Sequence, residues 1–351
     1  MAFETLLQAP KQIVDSAGVP VWGAFLGSPD ETNWQDLKGP RLRWPAATLR
    51  RKRWLYAALS TPELLLTTAV VDVGYVCNAF VFAVDLRAGV TLFQKSWLGV
   101  PNLMARVSQH PGAGAKATFR GPRVRIRIER RGEDDPYGVQ VQCGGDVEVT
   151  ASIAGPAGLT AGGAQAMTYV GAVDGAGGRG NCTQKIAASR AEGVVRIGGR
   201  QFSLSGGHGG LDYTDGILAR ETQWRWAFAQ GVARGGRVVG VNLVEGFNAR
   251  APGAAGEDAL WLDGLPRALA PARFEFDAEK WQRPWRVRTE DGALDLEAVP
   301  VTGYCERHEL GLARSRFLQV AARFRGVVHT PEGDVWFDDV PGVTEDQAVK
   351  W

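Results

Sequence analysis

The sequence has 351 residues, 45% of them hydrophobic, which is enough apolar surface for a folded interior and too much chain for one ordinary core. Its 40 Lys and Arg against 38 Asp and Glu leave a formal charge of +2, which argues against a dedicated nucleic-acid binder. Residues 1–15 lack a basic stretch followed by an apolar one, and no run of about 20 apolar residues occurs. The expectation is a cytoplasmic protein with no integral membrane span.

Residues 1–40 carry Trp22, Phe25 and Trp34 among Pro, Gly and Asp, and read as a lead-in segment that packs across a barrel. The basic run Arg50-Arg51-Lys52-Arg53 precedes strands over 54–93, because the apolar stretch 64–84 is broken by Asp72, Gly74 and Asn78. Arg123, Arg125 and Arg127 alternate with Val124, Ile126 and Ile128, the pattern of a half-buried strand with a basic outer face. Residues 155–193 are irregular, and the glycines between 175 and 180 resemble G-x-G-x-x-G only loosely. No apolar helix follows them, so a dinucleotide site is rejected.

Gly198-Gly199 and Gly235-Gly236 separate alternating segments and predict hairpins over 194–204 and 222–245. Further strands are expected at 259–262, 273–276, 285–289, 294–299, 317–328 and 335–337. A helical period is hard to find, and many short strands between turn residues favour a barrel or a sandwich. The expected division is a lead-in at 1–40, one domain at 41–193 and another at 194–351.

The stretch His208 to Ala227, HGGLDYTDGILARETQWRWA, concentrates chemistry-bearing residues. Its glycines suggest an acidic loop that feeds a strand. In that strand Trp224, Trp226 and Phe228 share one face, and Gln223, Arg225 and Ala227 the other. No G-x-S-x-G elbow or Walker A motif occurs, the four histidines show no H-E-x-x-H spacing, and Cys77, Cys143, Cys182 and Cys305 form no C-x-x-C. Neither a metal nor a cofactor is expected, which leaves acid/base chemistry by carboxylates, Tyr or His.

LDYTDGILARETQWRWA, with Asn242-Leu243, Leu260-Trp261-Leu262-Asp263-Gly264, Pro284-Trp285 and the segment 342–351, resembles the bacterial domain-of-unknown-function family 2804. Lys52-Arg53-Trp54 and Asp72-x-Gly74-Tyr75 resemble it too. That family is remotely similar to the carotenoid 1,2-hydratase and AttH-like proteins. The similarity implies an all-β chain of two lipocalin-like (calycin) antiparallel β-barrel domains in tandem. It implies a function only weakly: members of the wider group include hydratases, cofactor-free cyclases and a lipid-carrying branch. The Glu345-Asp346-Gln347 tail departs from the histidine expected near Asp346.

These readings combine into a hydrophobic small-molecule ligand, isoprenoid, fatty-acyl or polyketide-like, held in an aromatic-lined cavity. Hydration, dehydration or cyclisation without a cofactor would need a protonated acid in an apolar pocket and aromatic faces to shelter positive charge. Asp212 is the expected proton donor, Tyr213 a relay, and Glu245 a further catalytic candidate. His208, Arg220, Trp224, Trp226, Asn242, Trp261 and Asp263 are the expected ligand-binding set. The rival reading is a non-catalytic lipid carrier with the same cavity. A bland alternative also stands, with Asp212 accepting backbone N–H groups in a turn and the Trp residues serving as ordinary core.

Overall fold

Alternation of apolar and polar residues puts most of the chain into antiparallel strands, which form two sheets in this computed structural model. It describes residues 6–38, 49–156, 162–173, 179–248, 255–311 and 313–351; the glycine run at 175–178 lies outside them. Among the described residues no helix is long and apolar enough to cross a membrane.

The first sheet has 15 strands. From one edge its main path runs Val90–Gly99, Cys77–Asp85, Leu64–Asp72, Arg51–Ser60, Gly207–Ile217, Gly180–Ile197 and Val147–Ile153. It continues through Tyr137–Cys143, Val124–Glu129, Lys116–Gly121 and Ala105–Val107, and this last strand returns against Leu64–Asp72. The sheet is therefore a nearly closed barrel. The second sheet has 9 strands and forms a half-barrel, in the order Leu265–Ala268, Ala259–Leu262, Val238–Glu245, Glu221–Val232, Gly333–Lys350, Ala313–Thr330, Leu294–Leu310, Trp285–Thr289 and Ala272–Glu275. The chain is all-β with two barrel-like units, as the resemblance implied.

Both glycine-pair hairpins form, with Gly198 and Gly199 at φ 56 and 82 and Gly235 and Gly236 at φ 88 and 91, a region where other residues are strained. Three strands are far longer than their apolar patches: Leu294–Leu310 has 17 residues, and Ala313–Thr330 and Gly333–Lys350 have 18 each. Register shifts at Pro300/Thr302 and Phe324/Gly326 let them bend without ending. Gly180–Ile197 runs unbroken across positions 193 and 194, where the sequence reading divided the chain. The sheets change over between Ile217 and Glu221.

Residues 207–217 are a strand and not a loop. Their glycines serve close packing: a Cβ on Gly209 would stand 2.5 Å from Ile153, and one on Gly210 would stand 2.4 Å from the Phe228 ring. Gly210 thus lets the second sheet approach the first. The lead-in lies across the first sheet. Gly23–Leu26 pairs with Met167–Ala172, and Ile13, Val14, Phe25 and Trp34 are buried against Val170, Cys182 and Ile217. A polar staple fixes it, because Thr32 and the Arg51 guanidinium both donate to the fully buried Asp215 carboxylate.

Candidate functional site

Strand register assembles the site. In the first sheet, pairing sets Lys185 opposite Asp212, Asp212 opposite Tyr56, Tyr56 opposite Ala69 and Ala69 opposite Phe80. In the second, Val244, Trp226, Glu345, Gln319 and Tyr304 form an equivalent row. The rows face each other: Trp226 meets Tyr56 edge-on at 5.1 Å between ring centroids, and Phe80 lies 6.1 Å from Tyr304. One step towards solvent, Trp54 stacks on Trp224 at 6.0 Å with the planes 17° apart, and Phe247 packs on both. Between the sheets this leaves a cavity of about 210 Å³ with mostly apolar walls. That exceeds the roughly 150 Å³ of a cavity that accepts benzene.

Four buried acidic or basic side chains interrupt the apolar wall: Lys185, Asp212, Glu257 and Glu345 all line the cavity. The Lys185 ammonium donates to Asp212 Oδ1 at 2.5 Å and lies 3.6 Å from Glu257 Oε2. Asp212 also accepts from Thr183 Oγ1 at 3.4 Å and from Trp54 Nε1 at 3.5 Å. Glu345 receives the Trp224 indole N–H at 2.8 Å and the Gln319 amide at 3.0 Å. Burial pushes its carboxyl from 4.5 up to about 7, and the nearby Asp212 adds to this, while its two donors and Lys185 act in the other direction. Glu345 is therefore a carboxylic acid that holds its proton up to neutral pH, among aromatic rings. Burial likewise raises the Tyr56 phenol well above its ordinary value.

Of the residues singled out in the sequence, Asp212, Trp224 and Trp226 meet in this cavity. Tyr213 does not join them. The strand's alternation turns it into the first barrel, where its hydroxyl donates to the Ser108 carbonyl at 2.9 Å. Asn242 sits behind the wall, accepting the Trp226 N–H at 2.8 Å and donating to the Glu257 carbonyl at 2.8 Å. Trp261 is core, its indole N–H donating to the Gln165 carbonyl at 2.8 Å. Glu245 lies on the opposite face of the second sheet, paired with Arg225 at 2.8 Å and Arg273 at 3.4 Å. Asp263 is in a turn, paired with Arg237 at 2.9 Å. Arg220 donates to the Trp351 carbonyl, and His208, whose pKa burial lowers, lies in the Gly207–Ile217 strand; neither is among the cavity-lining residues.

The family model for a domain of unknown function (DUF2804) matches residues 4–351. The chain belongs to that family. No curated protein matches the sequence. Among solved structures, a Nitrosomonas europaea protein named as an AttH covers 90% of this chain and 98% of its own at 13% identity, with a TM-score of 0.50. CghA, crystallised with Sch210972, covers 97% of both chains at 12% identity, with a TM-score of 0.53. At these identities the likeness is one of fold.

In this DUF2804 chain the sequence reading missed Lys185, Glu257 and Glu345. Lys185 had a local signal: it is the one charge between Asn181 and Ser189, in a strand otherwise made of small, apolar or neutral residues. Glu345 had none beyond its place in a tail that already stood out.

Proposed function

We propose that the cavity between the sheets binds a hydrophobic small molecule and that Glu345 is the proton donor of a cofactor-independent acid/base reaction on it. The observation that carries this reading is the buried Glu345 carboxyl lining an aromatic cavity, where burial raises its pKa to about 7. When it gives up its proton, the Trp224 and Gln319 N–H groups and the nearby Lys185 are already placed to hold the anion. The faces of Trp54, Trp226 and Tyr56 can shelter positive charge that develops on the ligand. Asp212, bound to the Lys185 ammonium, suits the role of anchoring that cation better than the donor role the sequence suggested. Hydration, dehydration and cyclisation all fit. A simple carrier fits less well, because an apolar wall would serve it without the desolvation cost of four ionisable groups.

The test begins with mass spectrometry of an organic-solvent extract from gently purified protein. A near-stoichiometric hydrophobic compound identifies the ligand class. That compound is then incubated with wild type, Glu345→Gln and Asp212→Asn in heavy-oxygen water. Full turnover by Glu345→Gln would remove the proposed acid, and no conversion by wild type would leave a carrier. No co-purified compound, together with no tryptophan quenching by added hydrophobic ligands, would overturn the binding reading itself.

A further inference from the structure

The same cavity holds a second polar cluster at its mouth. Glu306 and His308 line it and belong to the Leu294–Leu310 strand, two residues apart and therefore on one face. The Glu306 carboxylate accepts the Tyr304 hydroxyl at 2.7 Å and the Ser96 hydroxyl from the first sheet, and lies 2.8 Å from His308 Nε2. Two hydroxyl donors thus fix the carboxylate, and it lies against one ring nitrogen of the histidine. A carboxylate beside Nε2 favours the proton on that nitrogen and leaves Nδ1 with its basic lone pair. The side chain of His308 is 30% exposed, so it can exchange protons with water. Opposite it on the neighbouring strand stands the uncharged Ser315.

Position separates this cluster from the inner acid. Tyr304 lies two strands from Glu345 in register, and His308 is four residues further along. At about 4.8 Å between strands and 3.4 Å per residue, the backbone positions of Glu345 and His308 are on the order of 15 Å apart along the sheet. One proton transfer at a single carbon cannot use both groups.

We propose that His308, oriented by Glu306, is a second acid/base residue of this cavity, acting on the oxygen-bearing end of a conjugated carbonyl compound whose far end reaches Glu345. This rests on the acid/base reading of the cavity. A neutral imidazole removes protons that are already acidic, such as an enol O–H or a C–H next to a carbonyl. An acid as weak as Glu345 protonates electron-rich carbons, not isolated alkenes. Nδ1 of His308 takes the proton, and the electron pair left on the ligand moves through the conjugated system, or closes a ring. The carbon at the far end forms its new C–H bond with the proton of Glu345. Substrate and product are isomers. The imidazolium releases its proton to solvent and the Glu345 carboxylate regains one, so the site is restored without a co-reactant.

Two measurements test this. Nitrogen-15 NMR of the wild type, with His308 assigned by comparison with His308→Gln, reads the tautomer directly. The expected neutral imidazole has a protonated Nε2 and a bare Nδ1, and Glu306→Gln weakens that preference. A protonated Nδ1 would overturn the proposal. The second uses β-ionone as probe, with tryptophan quenching for binding and proton NMR in heavy water for exchange of its acetyl protons. Wild type is expected to exchange them above the buffer rate, and His308→Gln to lose at least tenfold of the enhancement with binding retained. Binding without histidine-dependent exchange would overturn the base alone. Failure of β-ionone to bind would overturn this inference, because conjugated carbonyl compounds would not be the ligand class, and would leave the binding reading to the extract.

Discussion

Glu345→Gln separates a neutral buried acid from an ordinary carboxylate. Burial raises the Glu345 carboxyl from 4.5 to about 7, so in the folded protein it keeps a proton that the unfolded chain loses. Below about 4.5 both states are protonated and the group has no effect on stability. As pH rises towards 7 the unfolded chain ionises while the folded one does not, and the folded state loses ground until its own carboxyl titrates. At about 1.36 kcal/mol per pKa unit, the accumulated loss above neutrality is about 3 kcal/mol. Glutamine stays neutral throughout. It can still accept the Trp224 N–H, and rotation of the Gln319 amide lets it donate to that carbonyl while the Thr67 hydroxyl accepts from the other side. Urea unfolding across this pH range should show the two proteins nearly equal at the acid end and the variant about 3 kcal/mol more stable above neutrality. Parallel stability curves would refute the reasoning, since they would mean that Glu345 ionises as freely in the fold as out of it.

Lys185→Met should destabilise the protein by about 3–5 kcal/mol by leaving Asp212 buried without its cation, and adding Asp212→Asn should restore much of that loss. Urea unfolding of the four proteins of this cycle gives the coupling. Asn242→Ala removes the acceptor of the Trp226 indole and the donor to the Glu257 carbonyl, at an expected cost of about 1–3 kcal/mol. Its tryptophan emission should shift, and unchanged emission would count against Asn242 as the group that holds Trp226. Arg51→Ala leaves the fully buried Asp215 with only neutral donors, so it should loosen the lead-in and speed proteolysis within residues 6–38. Digestion at the wild-type rate would show that the apolar contacts of Trp34 and Phe25 hold the segment alone.

The all-β architecture was legible because hairpin glycines and two-residue alternation are local signals, and both survive in the structure at 198–199, 235–236 and 222–228. The same alternation placed Trp224 and Trp226 on one face, where both line the cavity. Over residues 207–217 the glycines mask it, because paired glycines read as a turn. Applied there, it would have set Asp212 and Tyr213 on opposite faces. The role of Gly209 and Gly210 is to admit Ile153 and Phe228, contacts that no local pattern encodes. Glu245, expected as a catalytic candidate, and Asp263, expected to bind ligand, instead pair with arginines away from the cavity. The partners of Asp212 were hidden for a different reason. Lys185 is 27 residues away in sequence, and Glu345 comes from a strand that enters the site only through the pairing of Gly333–Lys350 with Glu221–Val232.

The two units each have an interior of their own, with Ile126, Val139 and Val149 in the first and Val241, Leu296 and Val320 in the second. Their stability does not call for polar groups where the sheets meet. An interface built for cohesion would fill that space with the residues that fill those interiors, because a buried ion pair stabilises no better than well-packed apolar side chains of its size. Here the interface instead leaves a cavity open and aims Lys185, Asp212 and Glu345 into it, each from a different strand. Glu345 alone bears a penalty of about 3 kcal/mol near neutral pH, a large share of the 5–15 kcal/mol that holds a typical domain folded. Packing gives no return for that penalty, whereas proton transfer at neutral pH requires an acid tuned in this way. That asymmetry between cost and packing is the argument for reading the cavity between the two sheets as the place where the proposed proton transfer occurs.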